Sequence, residues 1–430
     1  MSKLAILRGP KAVTLKEDET IWPMYGKEDE KAVLRILHSG YDCYEEMKHL
    51  EQEFKKYMGC EYALSVNNGT AGLHSAFFAV GLGAGDEIIA PSLGYWANCV
   101  TALNVGAVPV FADIRLDTLN IDPDDIERRI TKRTKAIIVL HIWGLPCDMD
   151  AIMRIARKHK LKVIEDACHA HGAAYHGQKL GTIGDVGVFS FQASKIMTAI
   201  EGGMLVTNSR ECYEKALVLG HYGELKGTRY EKFNLTGFGY KYRIHPVAAA
   251  LARVQLRKLD AINRERNGNI EYFCKGIAGL PGVRPHVTPK NSKRVYYGFR
   301  LQYIPEELAG LKSSAFIAAM LAEGVSCGTE RYNPKHLEPI FAEDDIFARG
   351  HPWNLGERWK LPDCYGPGKL PNTEQYIDRI LSLPAWQKAS RKYLDQMITA
   401  FHKVIGNIDH VPREAAQVKT EKSGMKAKIR

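Results

Sequence analysis

With 430 residues, 45% of them hydrophobic and 25% charged, the chain has the composition of an ordinary globular protein and the length for two domains around separate cores. That balance excludes a disordered or fibrous chain, and no apolar stretch approaches the length of a membrane span. The net charge of +10 is moderate; part of it sits in the last twenty residues, read as a solvated basic end rather than a nucleic-acid or membrane arm, and the rest favours small anionic ligands.

In chain order, residues 1–26 read as an irregular surface segment. Two amphipathic helical stretches follow, EDEKAVLRILHSG and EEMKHLEQEFKKYMG, each closed by a glycine. The pattern then changes to short β-rich runs at 62–66, 87–91, 107–113, 135–144 and 161–167, separated by turns and helices such as LHSAFFAVGLG. Such alternation argues a mostly parallel sheet covered on both faces by helices, an α/β domain over 27–264. A Gly- and Tyr-rich loop from His221 to Pro246 leads into a strongly periodic helix, AAALARVQLRKLDAINRERNGNIEYF. Strand-like VYYGFRLQYI and helical SSAFIAAMLAEG and YLDQMITAFHKVI then suggest a smaller α+β domain over 265–408, with a basic, flexible tail over 409–430. No internal repeat stands out. Nine scattered cysteines form no CxxC pair, and the N-terminal apolar patch is too short for a signal-peptide core, so a reducing cytoplasm is expected and no metal site.

The chemistry concentrates in 163–208. One apolar run ends in Glu165-Asp166, a second ends in Ser190, Lys195 stands five residues later, and a Glu-Gly-Gly turn precedes a third run. Ligands of open α/β sheets sit at the carboxyl ends of the strands, which brings an acid, a hydroxyl and a lysine toward one place. Upstream, Asn68-Gly69-Thr70-Ala71 lies between a strand and a helix, where backbone N–H groups and a hydroxyl cradle phosphate. Each element alone also has an ordinary reading: Gly-Thr as a helix cap, Ser190 as a strand terminus, Asp166 as half of a salt bridge. Together they are what a protein supplies to pyridoxal 5'-phosphate: an anion cradle, a carboxylate for the pyridinium nitrogen and a Schiff-base lysine.

NNGTAGLHSA, GDEIIAPSLGYWA, GAVPVFADI, VIEDACHAHGA, GDVGVFSFQASK, EGGMLVTN, GYKYRIHPVAAALARVQL, RYNPKHLEPIF and LPNTEQYIDRILSLP together resemble the DegT/DnrJ/EryC1/StrS sugar aminotransferases from the N-terminal segment to about residue 408. The resemblance implies the aspartate-aminotransferase fold type, pyridoxal phosphate with pyridoxamine phosphate as its intermediate form, and a homodimer that shares its active site across the interface. It implies that Lys195 forms the Schiff base and moves the donor's Cα proton, that Asp166 keeps the ring nitrogen protonated, and that His169 is set against the ring oxygen. Gly69, Thr70, Ala71 and Ser190 would hold the phosphate and Tyr95 would stack on the ring. The family's Gly-Tyr-Asn-Tyr-Arg reads Gly239-Tyr240-Lys241-Tyr242-Arg243 here. Lys241 therefore either meets the cofactor phosphate with a direct charge from the partner subunit or points away. Arg243, Tyr332 and His336 fall on the substrate side.

Because Lys195 is present where related dehydratases carry histidine, the resemblance implies transamination from glutamate or glutamine to a nucleotide-linked keto-deoxy sugar. A keto-cyclitol of the inosose type, or an aminoshikimate-type precursor, is the alternative acceptor, since LAILRGPKAV through WPMYGKEDE resembles those branches. A regulatory or scaffold protein that kept only the fold is the reading from another class, and the intact lysine, aspartate and serine speak against it.

Overall fold

The short apolar runs assemble side by side in the computed structural model, which describes residues 3–16, 22–330, 332–342 and 362–413. Strands β1 (Tyr62–Val66), β2 (Glu87–Pro91), β3 (Val108–Ala112), β4 (Thr134–Leu140) and β5 (Lys162–Asp166) are followed by a small hairpin, β6 (Ala174–Tyr175) and β7 (Gln178–Lys179), then by β8 (Val186–Ser190) and β9 (Gly203–Thr207). Seven of them form one sheet in the order β1-β9-β8-β5-β4-β2-β3. All run parallel except β9, which lies antiparallel to both β1 and β8. Every residue of β2, β3, β8 and β9 is buried, which is why these strands read as continuous apolar runs rather than alternating ones.

Helices α1 (Lys27–Leu37), α2 (Glu45–Met58), α3 (Gly69–Ala79), α4 (Val100–Leu103), α5 (Pro123–Arg128), α6 (Met149–His159), α7 (Arg210–Gly220) and α8 (Pro246–Gly276) cover this sheet. α6 shows the local logic: Asp148 caps it by accepting the Ala151 N–H at 3.1 Å, and Met149, Ile152, Ile155 and Ala156 bury one stripe. The 31-residue α8 serves two cores, with Leu256 and Leu259 in the first and Ile270 and Phe273 in the second. The sequence-based boundary at 264/265 therefore falls inside a continuous helix. The second core packs α9 (Ser313–Ala322) and the helix Arg391–Ile405 on a three-stranded sheet of Val283–Pro285, Phe299–Tyr303 and Ile380–Leu383.

Several local expectations change. The N-terminal segment is docked rather than superficial: Leu4 and Val13 are buried in the second core, and Glu323 accepts the N–H groups of Ala5 at 2.8 Å and Ala12 at 3.0 Å. The run at 135–144 stops as a strand at Leu140 because Trp143 takes a left-handed conformation, φ 47°, inside a short helical turn. VYYGFRLQYI narrows to Phe299–Tyr303. Val411 is buried in the second core and Arg413 donates to Ala309 O at 2.8 Å, so packing continues past the point where the tail was placed. Residues 414–430 of that tail, and Arg331 of the RYNPKHLEPIF motif, lie outside the described residues.

Candidate active site

Strand register does the assembling. Val66 of β1 faces Gly203, Gly203 faces Ser190, and on the other side Val188 faces Asp166, which faces Leu140. The ends of five strands thus meet along one edge, and a cavity of about 570 Å³ opens there, lined by Gly69, Thr70, Tyr95, Asp166, His169, Ser190, Lys195 and Tyr332, with Asn68, Cys168, Gln192, Ser194, Glu201 and Tyr297 between them. β9 can pass this close only because residue 203 is glycine: a Cβ there would stand 2.8 Å from both Asn68 C and Phe189 O.

Asn68 is the N-cap of α3, accepting the Ala71 N–H on its Oδ1 at 2.8 Å. The Ala71 N–H is therefore engaged within the chain by the Asn68 side chain. The N–H groups of Gly69 and Thr70 have no acceptor among the described residues, leaving two donors of the helix start for an anion. Gly69 is required sterically, since a Cβ would lie 2.8 Å from Ser190 Cβ and 3.2 Å from Cys168 Sγ.

The two acids that end β5 point into different settings. Glu165, fully buried, is engaged by His141 Nε2 at 3.0 Å and by the N–H groups of Gly181, Ile183 and Gly184, each at 2.7 Å, so it pins the 181–184 turn. Asp166 is also buried, yet its only donor among the described residues is Cys168, through N–H at 3.1 Å. Burial pushes its carboxyl above the usual range, opposed by the Cys168 hydrogen bonds and by the charges of Lys195 and His141. Such a carboxylate is short of a positively charged partner, and a protonated ring nitrogen would supply one.

His169 is fixed by two contacts. Its Nδ1 accepts the Trp143 N–H at 3.3 Å and its ring stacks on Tyr297 with centroids 4.3 Å apart. Burial holds it well below the ordinary histidine pKa, so the ring is neutral and its single proton lies on Nε2, available for donation. Lys195 Nζ has no hydrogen-bond or ion-pair partner among the described residues and stands 4.3 Å from the centre of the Tyr297 ring. Its backbone is held by Gln192 O, which accepts its N–H at 2.8 Å, and by Trp22, whose indole N–H reaches Lys195 O at 3.1 Å. An amine without a salt-bridge partner, backed by an aromatic face, is placed for nucleophilic and acid–base work.

Tyr95 enters the cavity half exposed beside Trp96, and Tyr332 lies nearly parallel to His169 at 6.4 Å. Lys241 and Arg243 are elsewhere: they share a neighbouring depression with Tyr44, Asn67 and Ile200, separated from the lysine cavity by Glu201, which lines both. His336 is fully buried, its Nδ1 paired with Ser92 Oγ at 2.7 Å and its Nε2 with Glu374 at 3.0 Å, and it does not line the lysine cavity. Sequence reading missed Tyr297 and Trp22, which left no local signal because they arrive from distant chain; Asn68, read there only as part of the cradle turn, serves as the N-cap of α3.

A mostly parallel α/β sheet with an acid, a hydroxyl and an unpaired lysine at one edge, backed by a second α+β core, defines an enzyme of the aminotransferase architecture. The chain belongs to the DegT/DnrJ/EryC1/StrS aminotransferase family, which matches residues 23–402. A Micromonospora echinospora protein named as an L-glutamine:3-amino-2,3-dideoxy-scyllo-inosose aminotransferase is 37% identical over 346 residues, 79% of this chain and 82% of its own length. The spore coat polysaccharide biosynthesis protein SpsC of Bacillus subtilis is 33% identical over 396 residues, 90% of this chain and 97% of its own. Among solved structures, DesV of S. venezuelae in complex with a ketimine intermediate matches with a TM-score of 0.72 and 30% identity, covering 88% of this chain and 94% of that one. No helix among the described residues is long and apolar enough to cross a membrane.

Proposed function

We propose that this aminotransferase works with pyridoxal 5'-phosphate bound at Lys195 and moves an amino group from glutamate or glutamine to a nucleotide-linked keto-deoxy sugar. The observation that carries the reading is the meeting, in one cavity, of an unpaired lysine, a buried carboxylate lacking a cationic partner and two unused helix-start N–H groups. The residues fit the cofactor group by group. Gly69, Thr70 and Ser190 would hold the phosphate, Asp166 the ring nitrogen, His169 Nε2–H the ring oxygen, Lys195 the aldehyde carbon, and Tyr95 a ring face.

When bound, the cofactor supplies an electron sink for negative charge at the donor's α-carbon. Asp166 keeps a proton on the ring nitrogen, which strengthens that sink. Lys195 Nζ would take a proton from the donor's α-carbon and pass it on in the first half of the cycle, and would deliver a proton to the acceptor's carbon in the second. Tyr297 covers one side of the amine and keeps water from it.

The reading extends to a homodimer in which Lys241 and Arg243 face the partner's cavity. Their surroundings support it: Leu235 and Ile200, which line depressions with them, are 72% and 57% exposed, an apolar surface suited to a second copy. Two cations there also suit a diphosphate-bearing acceptor. A keto-cyclitol acceptor is the second reading, favoured by the 37%-identical M. echinospora relative. Borohydride reduction of the cofactor-loaded protein followed by peptide mass spectrometry tests the core of the proposal. A cofactor mass on the Lys195 peptide supports it, and an unmodified Lys195 sinks it. Incubation of the loaded protein with glutamine and either a nucleotide-linked keto sugar or a keto-inositol then separates the two acceptors.

A further inference from the structure

Ser194, Tyr297 and Tyr332 line two cavities at once. One holds Lys195; the other, of about 580 Å³, runs on from it toward the second core, walled by β-strand residues around Arg300, by 326–330 and by 382–385. This second cavity has the volume of a small-molecule site.

A single ion pair stands in its described wall. Arg300 Nε lies 2.7 Å from Glu330 Oε2, with the two side chains 15% and 6% exposed. Arg300 Nη1 also donates to Phe299 O at 3.0 Å, and the guanidinium sits 5.0 Å over the Trp143 ring. The other described lining residues are uncharged, with hydroxyls on Ser194, Ser326, Thr329 and Ser382. A largely buried pair contributes little to stability against well-packed apolar side chains, so its presence at a cavity wall calls for another use.

The chemistry of the pair selects its ligand. An incoming carboxylate or phosphate would gain from Arg300 but meet Glu330 at the same place. A hydroxyl group suits both partners, donating to the carboxylate and accepting from the guanidinium. Tyr332 adds a flat apolar face for the C–H surface of a ring. We propose that the second cavity seats an uncharged polyhydroxylated ring, the sugar or cyclitol ring of the acceptor, and that the Arg300–Glu330 pair is its specificity determinant; the assignment to the acceptor rests on the transaminase reading above.

The test measures binding of two probes to the cofactor-loaded protein by calorimetry: myo-inositol, a neutral polyol with no keto group to react, and glucuronate, a ring of similar size that carries a carboxylate. Glu330→Gln leaves the guanidinium uncompensated, and it should weaken inositol binding about tenfold or more while tightening glucuronate. The double variant Arg300→Gln/Glu330→Gln removes both charges of the pair, so the Arg300 guanidinium is not left uncompensated, which covers the case in which the single change unfolds the chain. It should bind inositol about tenfold more weakly than the parent without gaining affinity for glucuronate. Inositol affinity equal in the parent and the folded variants overturns the proposal. The donor half-reaction, read as the change in cofactor absorbance on adding glutamine, is measured on the same parent protein. A parent that responds to glutamine while inositol affinity ignores the pair overturns the polyol assignment alone; a parent that binds inositol through the pair yet never responds to any amino donor overturns the transaminase reading alone.

Discussion

Two depressions at the same edge of the large sheet are built in opposite ways. The Lys195 cavity is made of strand ends, so Asp166, Ser190 and Gly203 are located by hydrogen-bonded register, and burial shifts the proton affinities of Asp166 and His169. The Lys241–Arg243 depression is made of the loop before α8, where Lys241 bridges to His221 just past α7 and Arg243 bridges to Val66 at the end of β1. The difference separates two requirements. On the proposed reading, groups that must keep fixed distances and altered proton affinity sit on the rigid sheet, and groups that would face a second copy sit on a loop.

The largest effect expected from breaking the first region is Lys195→Ala. Loss of the amine removes both the covalent anchor and the proton carrier, and turnover with glutamine should fall about 10³-fold or more. Turnover close to the parent's would refute the assignment of Lys195. Next comes Asp166→Asn, a near-isosteric change that cannot hold a proton on a ring nitrogen electrostatically. Turnover should drop about 10²-fold. Because a buried charge disappears, the melting temperature should hold or rise, and a marked fall instead would show Asp166 to be structural.

Much of this first region was legible from the sequence for a physical reason. A strand's last residue projects from the sheet edge, so apolar runs ending in Asp166 and Ser190 announce where their side chains emerge, and a lysine five residues on stays within reach. The alternation of short β-rich runs with amphipathic helices likewise announced the parallel sheet. The reversal of β9 was not legible from its residues, because direction depends on the Glu201–Gly202 turn rather than on composition. Tyr297 and Trp22 left no local trace, since their place beside Lys195 is decided by packing between segments far apart in the chain. For His336 the motif carried a position but not its partners, Ser92 and Glu374, which lie far away in the chain.

Lys241→Ala probes the second region and should matter less. If the lysine crosses to the partner's cavity, cofactor dissociation from the dimer should quicken about tenfold, and the gap between parent and variant should narrow as salt is raised. Dialysis at two ionic strengths with cofactor absorbance as the readout measures this. Equal retention at both would leave Lys241 a surface residue.

The smallest effect concerns His169, and its sign can be worked out. Burial sets its folded pKa well below the unfolded value near 6.5, and Trp143 N–H occupies Nδ1. As pH falls through that unfolded value, the unfolded chain takes up a proton that the folded ring refuses, so stability present above it is lost below it. His171 and His221, at about 3 and about 4, act in the same direction, while Glu51, raised to about 7, partly offsets them. Replacing His169 by Phe deletes one such group. Between about pH 7 and about pH 5.5 the variant should lose about 1 kcal/mol less stability in urea titrations than the parent does. A parent and variant with the same acid sensitivity would mean that the folded His169 takes up a proton as readily as the unfolded one, which is incompatible with an Nδ1 that accepts the Trp143 N–H.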